Sequence, residues 1–156
     1  MNECLGKEVI ILSNQVKHYL HQAAESEGIS GAQSRILHFL FVESEKRDVF
    51  QKDIEETFFL GRSTVTQTLQ SMEKNGLILR SGVAWDARLK KLELTEQGRV
   101  LNARITRKVE QMERQLKSNL SPEEIQQFHV LINKMSGNIF ELSGDKGECM
   151  KANKAR

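Results

Sequence analysis

The stretch GRSTVTQTLQSMEKNGLILRSGVAWDARLKKLELTEQG, from Gly61 to Gly98, changes its hydrophobic period partway through. Val65, Leu69 and Met72 recur at steps of four and three, the spacing of one helix face. Asn75-Gly76 then stops the helix, because glycine takes the left-handed backbone of a C-terminal cap at little steric cost. Further on, Lys90, Leu92 and Leu94 alternate with Lys91 and Glu93, the two-residue period of a half-buried strand. Residues 77–80 and 89–94 are the strand candidates, with Ser81-Gly82 starting the connection between them. A helix, a tight stop and a hairpin in immediate succession leave few folds open.

The helix predicted over residues 62–75 has two unlike faces. Val65, Leu69 and Met72 form the core side at about 100° per residue. Opposite them lie Ser63, Gln67, Gln70 and Lys74, flanked by Thr64, Thr66 and Ser71. An ordinary solvent face carries many more Glu–Lys pairs, as residues 104–117 do. Short hydroxyls and amides are instead groups that contact base edges and phosphates in a major groove. The helix start also presents free backbone N–H groups suited to a phosphate. A short helix, Gln51–Phe58, precedes it across the tight turn Phe59, Leu60, Gly61, which makes a helix-turn-helix. The following hairpin makes it a winged helix, with the ribbon reaching the neighbouring backbone or minor groove.

Charge points the same way. The whole chain of 156 residues carries only +2. Between Arg62 and Lys91 stand six bases, Arg62, Lys74, Arg80, Arg88, Lys90 and Lys91, against two acids, Glu73 and Asp86. That local excess of four leaves −2 for the remainder, so any polyanion contact is localised.

The rest of the chain reads as helices. Leu5, Val9, Leu12, Val16, Tyr19 and Ala23 make a stripe ending near Gly28. Ser30 with Gln33 is a capping-box pattern opening a buried helix to about residue 42, and residues 43–48 form a charged connection. Thr95 caps a helix striped by Leu101, Ile105, Val109, Met112 and Leu116. Ser121-Pro122-Glu123-Glu124 starts a last helix striped by Ile125, Phe128, Ile132, Met135, Ile139 and Leu142. The fold class is therefore mostly α with a small β-hairpin wing: a winged helix-turn-helix flanked by N- and C-terminal dimerisation helices. Residues 1–30 and 99–145 are expected to form the helical dimerisation layer, 31–98 the DNA-binding domain, and 146–156 a loose tail. Stripes at both ends bury best against each other and a second copy, which predicts a homodimer.

Other classes find little support. No apolar run approaches the ~20 residues of a membrane helix, and the N-terminus lacks a basic segment followed by an apolar one, so no membrane contact is expected and the expected compartment is the cytoplasm, at the nucleoid. No nucleophile motif, P-loop or dinucleotide loop appears, so neither an enzyme nor a cofactor is expected. His18 and His21 have a permissible metal spacing but no supporting ligands, so no metal site is assigned.

QKDIEETFFLGRSTVTQTLQSMEKNGLILR followed by DARLKKLELTEQG resembles the MarR family of bacterial transcriptional regulators. The specific part is the order Asp86, Arg88, Leu94, Thr95, Gly98. The resemblance implies that Arg88 enters the minor groove from the wing and that Asp86 orients it by an ion pair. With the helix face, the expected DNA-binding set is Arg62, Ser63, Thr64, Thr66, Gln67, Gln70, Lys74, Asp86, Arg88 and Lys90. Glu55, Phe59, Gly61 and Ala87 depart from the family pattern: Glu55 replaces a small residue between the helices, Phe59 a turn Gly or Asn, Gly61 a capping Ser, and Ala87 a wing Arg. A bulky Phe59 resists positive φ, which makes a remodelled turn the expectation. Trp85 is expected to pack against the wing base rather than intercalate.

The resemblance also implies a repressor of double-stranded DNA, released by a small aromatic or lipophilic effector. Its candidate lining is His18, Tyr19, Gln22, Arg35, His38 and Phe39. Arg35 is read either as the anchor of an acidic ligand or as a core-edge residue paired with a carboxylate. Cys4 and Cys149 lie near opposite ends and could meet across a dimer as a redox switch, against the simpler reading of two reduced thiols. A winged-helix module for a protein partner is the remaining alternative; an acidic recognition face would favour it, and this face is not acidic.

Overall fold

The computed structural model describes residues 4–143; Cys149 and the tail lie outside them. The element order is α1 (Leu5–Glu25), α2 (Gly31–Glu43), α3 (Gln51–Phe58), α4 (Arg62–Lys74), β1 (Ile78–Val83), β2 (Asp86–Leu94), α5 (Glu96–Lys117) and α6 (Pro122–Ser143). The expected succession of a long helix, three shorter helices, a hairpin and two long helices is the one observed. The chain divides into two compact units, residues 1–112 and 113–156.

The first unit holds the core. Ile36, Leu37 and Leu40 of α2 meet Ile54 of α3, the Val65, Leu69 and Met72 face of α4, Ile78 and Leu92 of the hairpin, and Leu101 and Ile105 of α5. α1 joins it only at its C-terminal end, where Ala23 and Ala24 are buried. Ion pairs reinforce that end: Glu27, just past α1, accepts from Lys108 Nζ at 2.6 Å and faces Arg104 at 3.5 Å. The Lys108 hydrogen bond holds the Glu27 carboxyl below its ordinary range.

Local signals set most element ends. At α2, Gln33 N donates to Ser30 Oγ and Ser30 N donates to Gln33 Oε1, closing both halves of the capping box. At the end of α4, Gly76 takes φ +69° and Leu77 N reaches back to Met72 O at 2.9 Å. At α5, Thr95 Oγ1 accepts from Gly98 N at 3.0 Å and donates to Gly76 O at 2.6 Å. A Cβ on Gly98 would run into the Leu77 carbonyl. The Leu-Thr-x-x-Gly order thus joins the start of α5 to the end of α4, and each named residue has a steric or hydrogen-bonding reason.

The wing differs from expectation in its turn. Ser81 and Gly82 do not begin the connection. They pair with Lys91 and Lys90, and β1 runs on to Val83, opposite Asp86. The turn is Ala84-Trp85. The register shifts at Gly82/Val83, so residues 87–89 have no cross-strand partner in the ladder. Such a bulge bends a strand and re-aims its side chains. Residue 50 adds an isolated bridge to Lys91, and Leu92 N donates to Val49 O at 2.8 Å.

The second unit contains the end of α5 and α6. Ser121 and Glu124 form a reciprocal cap at 2.7 and 3.2 Å, with Pro122 at the first helical position. Among the described residues of α6 none is buried, and Phe128, Leu131 and Leu142 are exposed. No described helix is long and apolar enough to cross a membrane.

Candidate nucleic-acid interface

α4 is built as its sequence period requires. Val65, Leu69 and Met72 are fully buried, which fixes the rotation of the helix. Arg62, Ser63, Thr64, Gln67, Gln70 and Lys74 are all exposed as a result. Its N-cap is Gly61, with no side-chain cap, so no hydroxyl or carboxylate competes for the first N–H groups. Lys74 stands in the last turn, where the helix dipole favours a cation.

Thr66 stands apart from the rest of the expected set. It is half-buried; its Oγ1 donates to Arg62 O at 2.8 Å and accepts from Gln51 Nε2 at 2.8 Å. The same amide nitrogen donates to Glu55 Oε1 at 2.8 Å, and Gln51 Oε1 accepts from Arg80 Nη2 at 2.9 Å. Gln51 therefore ties the wing strand, α3 and α4 together. Glu55, the departure that puts a carboxylate between the two helices, is accommodated in this network. These links join residues fifteen and twenty-nine positions apart, which periodicity does not register. The local excess of bases includes Arg80 but does not separate it from the solvent-facing cations.

The turn is not remodelled. Phe59 takes φ +52°, ψ +42°, left-handed backbone, and is the one non-glycine residue with positive φ among those described. Leu60 N closes the turn onto Glu55 O at 3.1 Å.

On the wing, Arg88 falls within the bulge and its side chain is 91% exposed. Asp86 Oδ1 accepts from Arg88 N at 2.9 Å and from Arg88 Nε at 3.4 Å. The carboxylate thus shapes the loop and points the guanidinium outward. Lys90 is exposed. Lys91 is engaged with Asp48 at 2.8 Å and Glu93 at 3.1 Å, and those carboxylates raise its pKa. Glu93 is held low, first by the Ser81 hydroxyl and then by Lys91. Of the wing cations after the turn, Arg88 and Lys90 project while Lys91 is neutralised. Trp85 packs edge-on against Phe50, with ring centroids 5.9 Å apart. Trp85 lies in the turn of the hairpin rather than at its base and is 67% exposed, so the expected packing is met only by this one ring contact.

The expected effector residues are only partly grouped. Arg35 lies 5.9 Å over the Phe58 ring, and Phe58 meets Phe39 edge-on at 5.6 Å. A ring rather than a carboxylate is thus the partner of Arg35, a cation–π contact. Tyr19 Oη donates to Lys108 O at 3.5 Å. His18, Gln22 and His38 are exposed on α1 and α2. An open cleft of about 310 Å³ lies elsewhere, lined by Glu27, Gly28, Ile29, Asn75, Leu77, Gln97, Leu101 and Arg104, and contains none of the six. His21 pairs with Glu25 at 3.0 Å. Cys4 is exposed at the N-cap of α1.

A model of the MarR family matches residues 27–88. MepR, a transcription regulator of the Staphylococcus aureus multidrug efflux pump MepA, superposes with a TM-score of 0.75 at 27% identity, covering 86% of this chain and 98% of that one. The Staphylococcus aureus MepR–DNA complex gives a TM-score of 0.74 at 28% identity, covering 89% and 99%. The transcription regulator MarR from Oenococcus oeni PSU-1 gives 0.64 at 29% identity, covering 85% and 98%.

Proposed function

With this chain placed among the MarR-family winged-helix regulators, DNA-binding proteins of transcription, we propose that it is a homodimeric repressor of an inverted-repeat operator, released by a small aromatic or lipophilic effector. The observation that carries the DNA-reading part is the forced rotation of α4. Burial of Val65, Leu69 and Met72 leaves Ser63, Gln67 and Gln70 outward on a helix whose one acid is Glu73. Gln67 and Gln70 read base edges, while Arg62, Ser63, Thr64 and Lys74 meet the backbone at either end of the helix. Thr66 holds the helix in register through Gln51. Arg88, aimed by Asp86, enters the flanking minor groove, with Lys90 on the adjacent phosphate.

A second copy would cover the exposed apolar residues of α1, Leu5, Val9, Ile10, Ile11 and Leu12. Residues 1–30 and 99–145 are assigned to the dimerisation layer and residues 31–98 to DNA binding. A two-fold dimer places half-sites about one helical turn, ~10 bp, apart. The effector is assigned to the surface of His18, Tyr19, Gln22, Arg35, His38 and Phe39, where the Arg35–Phe58–Phe39 cluster offers a cation beside aromatic rings.

Selection from a random duplex library at near-physiological salt tests this reading. Sequencing the retained duplexes is expected to return an inverted repeat with that spacing. Absence of enrichment, persisting after denaturation and refolding to strip any bound ligand, sinks it.

A further inference from the structure

Phe59 combines two features that a chain ordinarily avoids in one residue. Its backbone is left-handed, which crowds the Cβ of any L-residue, and the residue is 73% exposed. The turn itself needs the positive φ, because Phe59 N and Leu60 N both close onto Glu55 O to end α3. Glycine or asparagine would satisfy that requirement with less strain. The adjacent Phe58 is accounted for, since it packs on Phe39 beneath Arg35. Phe59 has no such packing role: it is exposed, two residues ahead of the Gly61 cap of α4. A strained backbone carrying an exposed aromatic points to a use outside the fold.

The surroundings select the partner. Arg62, Ser63 and Thr64 are exposed just beyond the turn, and the first turn of α4 has no acid. Glu56, on the preceding helix, faces Lys52 at 3.5 Å. Such a rim suits a polyanion better than an apolar protein surface. Within a major groove, the apolar group that a phenylalanine ring can meet is the 5-methyl of thymine. We propose that Phe59 reads one thymine methyl in each half-site, beside the contacts of α4. This rests on the DNA-reading function proposed above.

The test uses the full chain and the duplex recovered by selection, with each thymine replaced in turn by uracil, which lacks only the methyl. For the unaltered protein, one position per half-site is expected to cost about fourfold in affinity, the equivalent of about 0.8 kcal/mol for one buried methyl-sized group. Phe59→Gly should bind the thymine duplex more weakly by that factor and lose the discrimination. Its melting temperature should equal or exceed that of the unaltered protein, because the backbone strain is relieved. Phe59→Leu should keep part of the discrimination. A flat uracil scan overturns the proposal. So does a Phe59→Gly variant that weakens thymine and uracil duplexes equally, which would place the ring on sugar or in the fold, or one that melts lower. Recovery of an operator whose uracil scan is flat removes this contact and leaves the regulator; failure to recover any operator removes both.

Discussion

α4 and α1 are both amphipathic helices of one compact unit, and their apolar stripes meet opposite fates. The stripe of α4 is fully buried at Val65, Leu69 and Met72. Along α1 only the last turn, at Ala23 and Ala24, reaches the core, while Leu5, Val9, Ile10, Ile11 and Leu12 stay exposed. Burying an aliphatic side chain is worth roughly 1.5–3 kcal/mol, so α4 is held by its own lobe and much of α1 is not. A helix whose inner face is fully satisfied can give its outer face to chemistry. One whose apolar face is uncovered presents an interface, and on our reading its complement is a second copy.

The contrast can be broken first at α4. Leu69→Ala should cost about 2–5 kcal/mol, read as a large fall in melting temperature at any protein concentration. A change near zero would mean that α4 is not docked as described. Next comes α1. Leu12→Glu should convert a dimer to a monomer in sedimentation velocity and abolish the rise of melting temperature with concentration that a dimer gives. An unaltered sedimentation coefficient places the interface elsewhere.

The two outer surfaces of the lobe should then separate from each other. Arg88→Ala should weaken binding to all duplexes and reduce the slope of log affinity against log salt by about one. Gln67→Ala should cost about 1–3 kcal/mol on the selected site, relaxing preference at one or two base positions and leaving the salt slope intact. If the two variants behave alike, helix and wing do not divide base reading from backbone grip.

The smallest effect is at the anchored end of α1. The Glu27 carboxyl is held low chiefly by Lys108, so the tie contributes above the ordinary carboxylate range and is lost as pH falls through the lowered value. Glu27→Gln should melt slightly below the unaltered protein at neutral pH, with the gap closing in acid. A gap that widens in acid contradicts the assignment.

Much of the candidate site was legible because its signals are local. The rotation of α4 follows from residues three and four apart. The Asp86–Arg88 pairing was implied by the family resemblance, whereas the bulge that exposes Arg88 depends on cross-strand register and was not foreseen. The network through Gln51 was not legible, since Arg80 and Thr66 reach it from different elements. The start of the wing turn was misplaced by three residues because Ser81-Gly82 resembles a turn locally, whereas pairing with Lys91 and Lys90 extends the strand through it.

The sequence by itself determined the order of elements, the caps at Ser30, Thr95 and Ser121, the stop at Gly76 and the outward face of α4. Each depends on hydrogen bonds or side-chain periodicity within a few residues. Only the tertiary structure decided that Thr66 turns its hydroxyl inward, that Arg35 lies over a ring, and that Phe59 accepts a left-handed backbone. Those outcomes depend on groups brought together from distant parts of the chain, where packing and shared hydrogen bonds outweigh what each residue prefers alone.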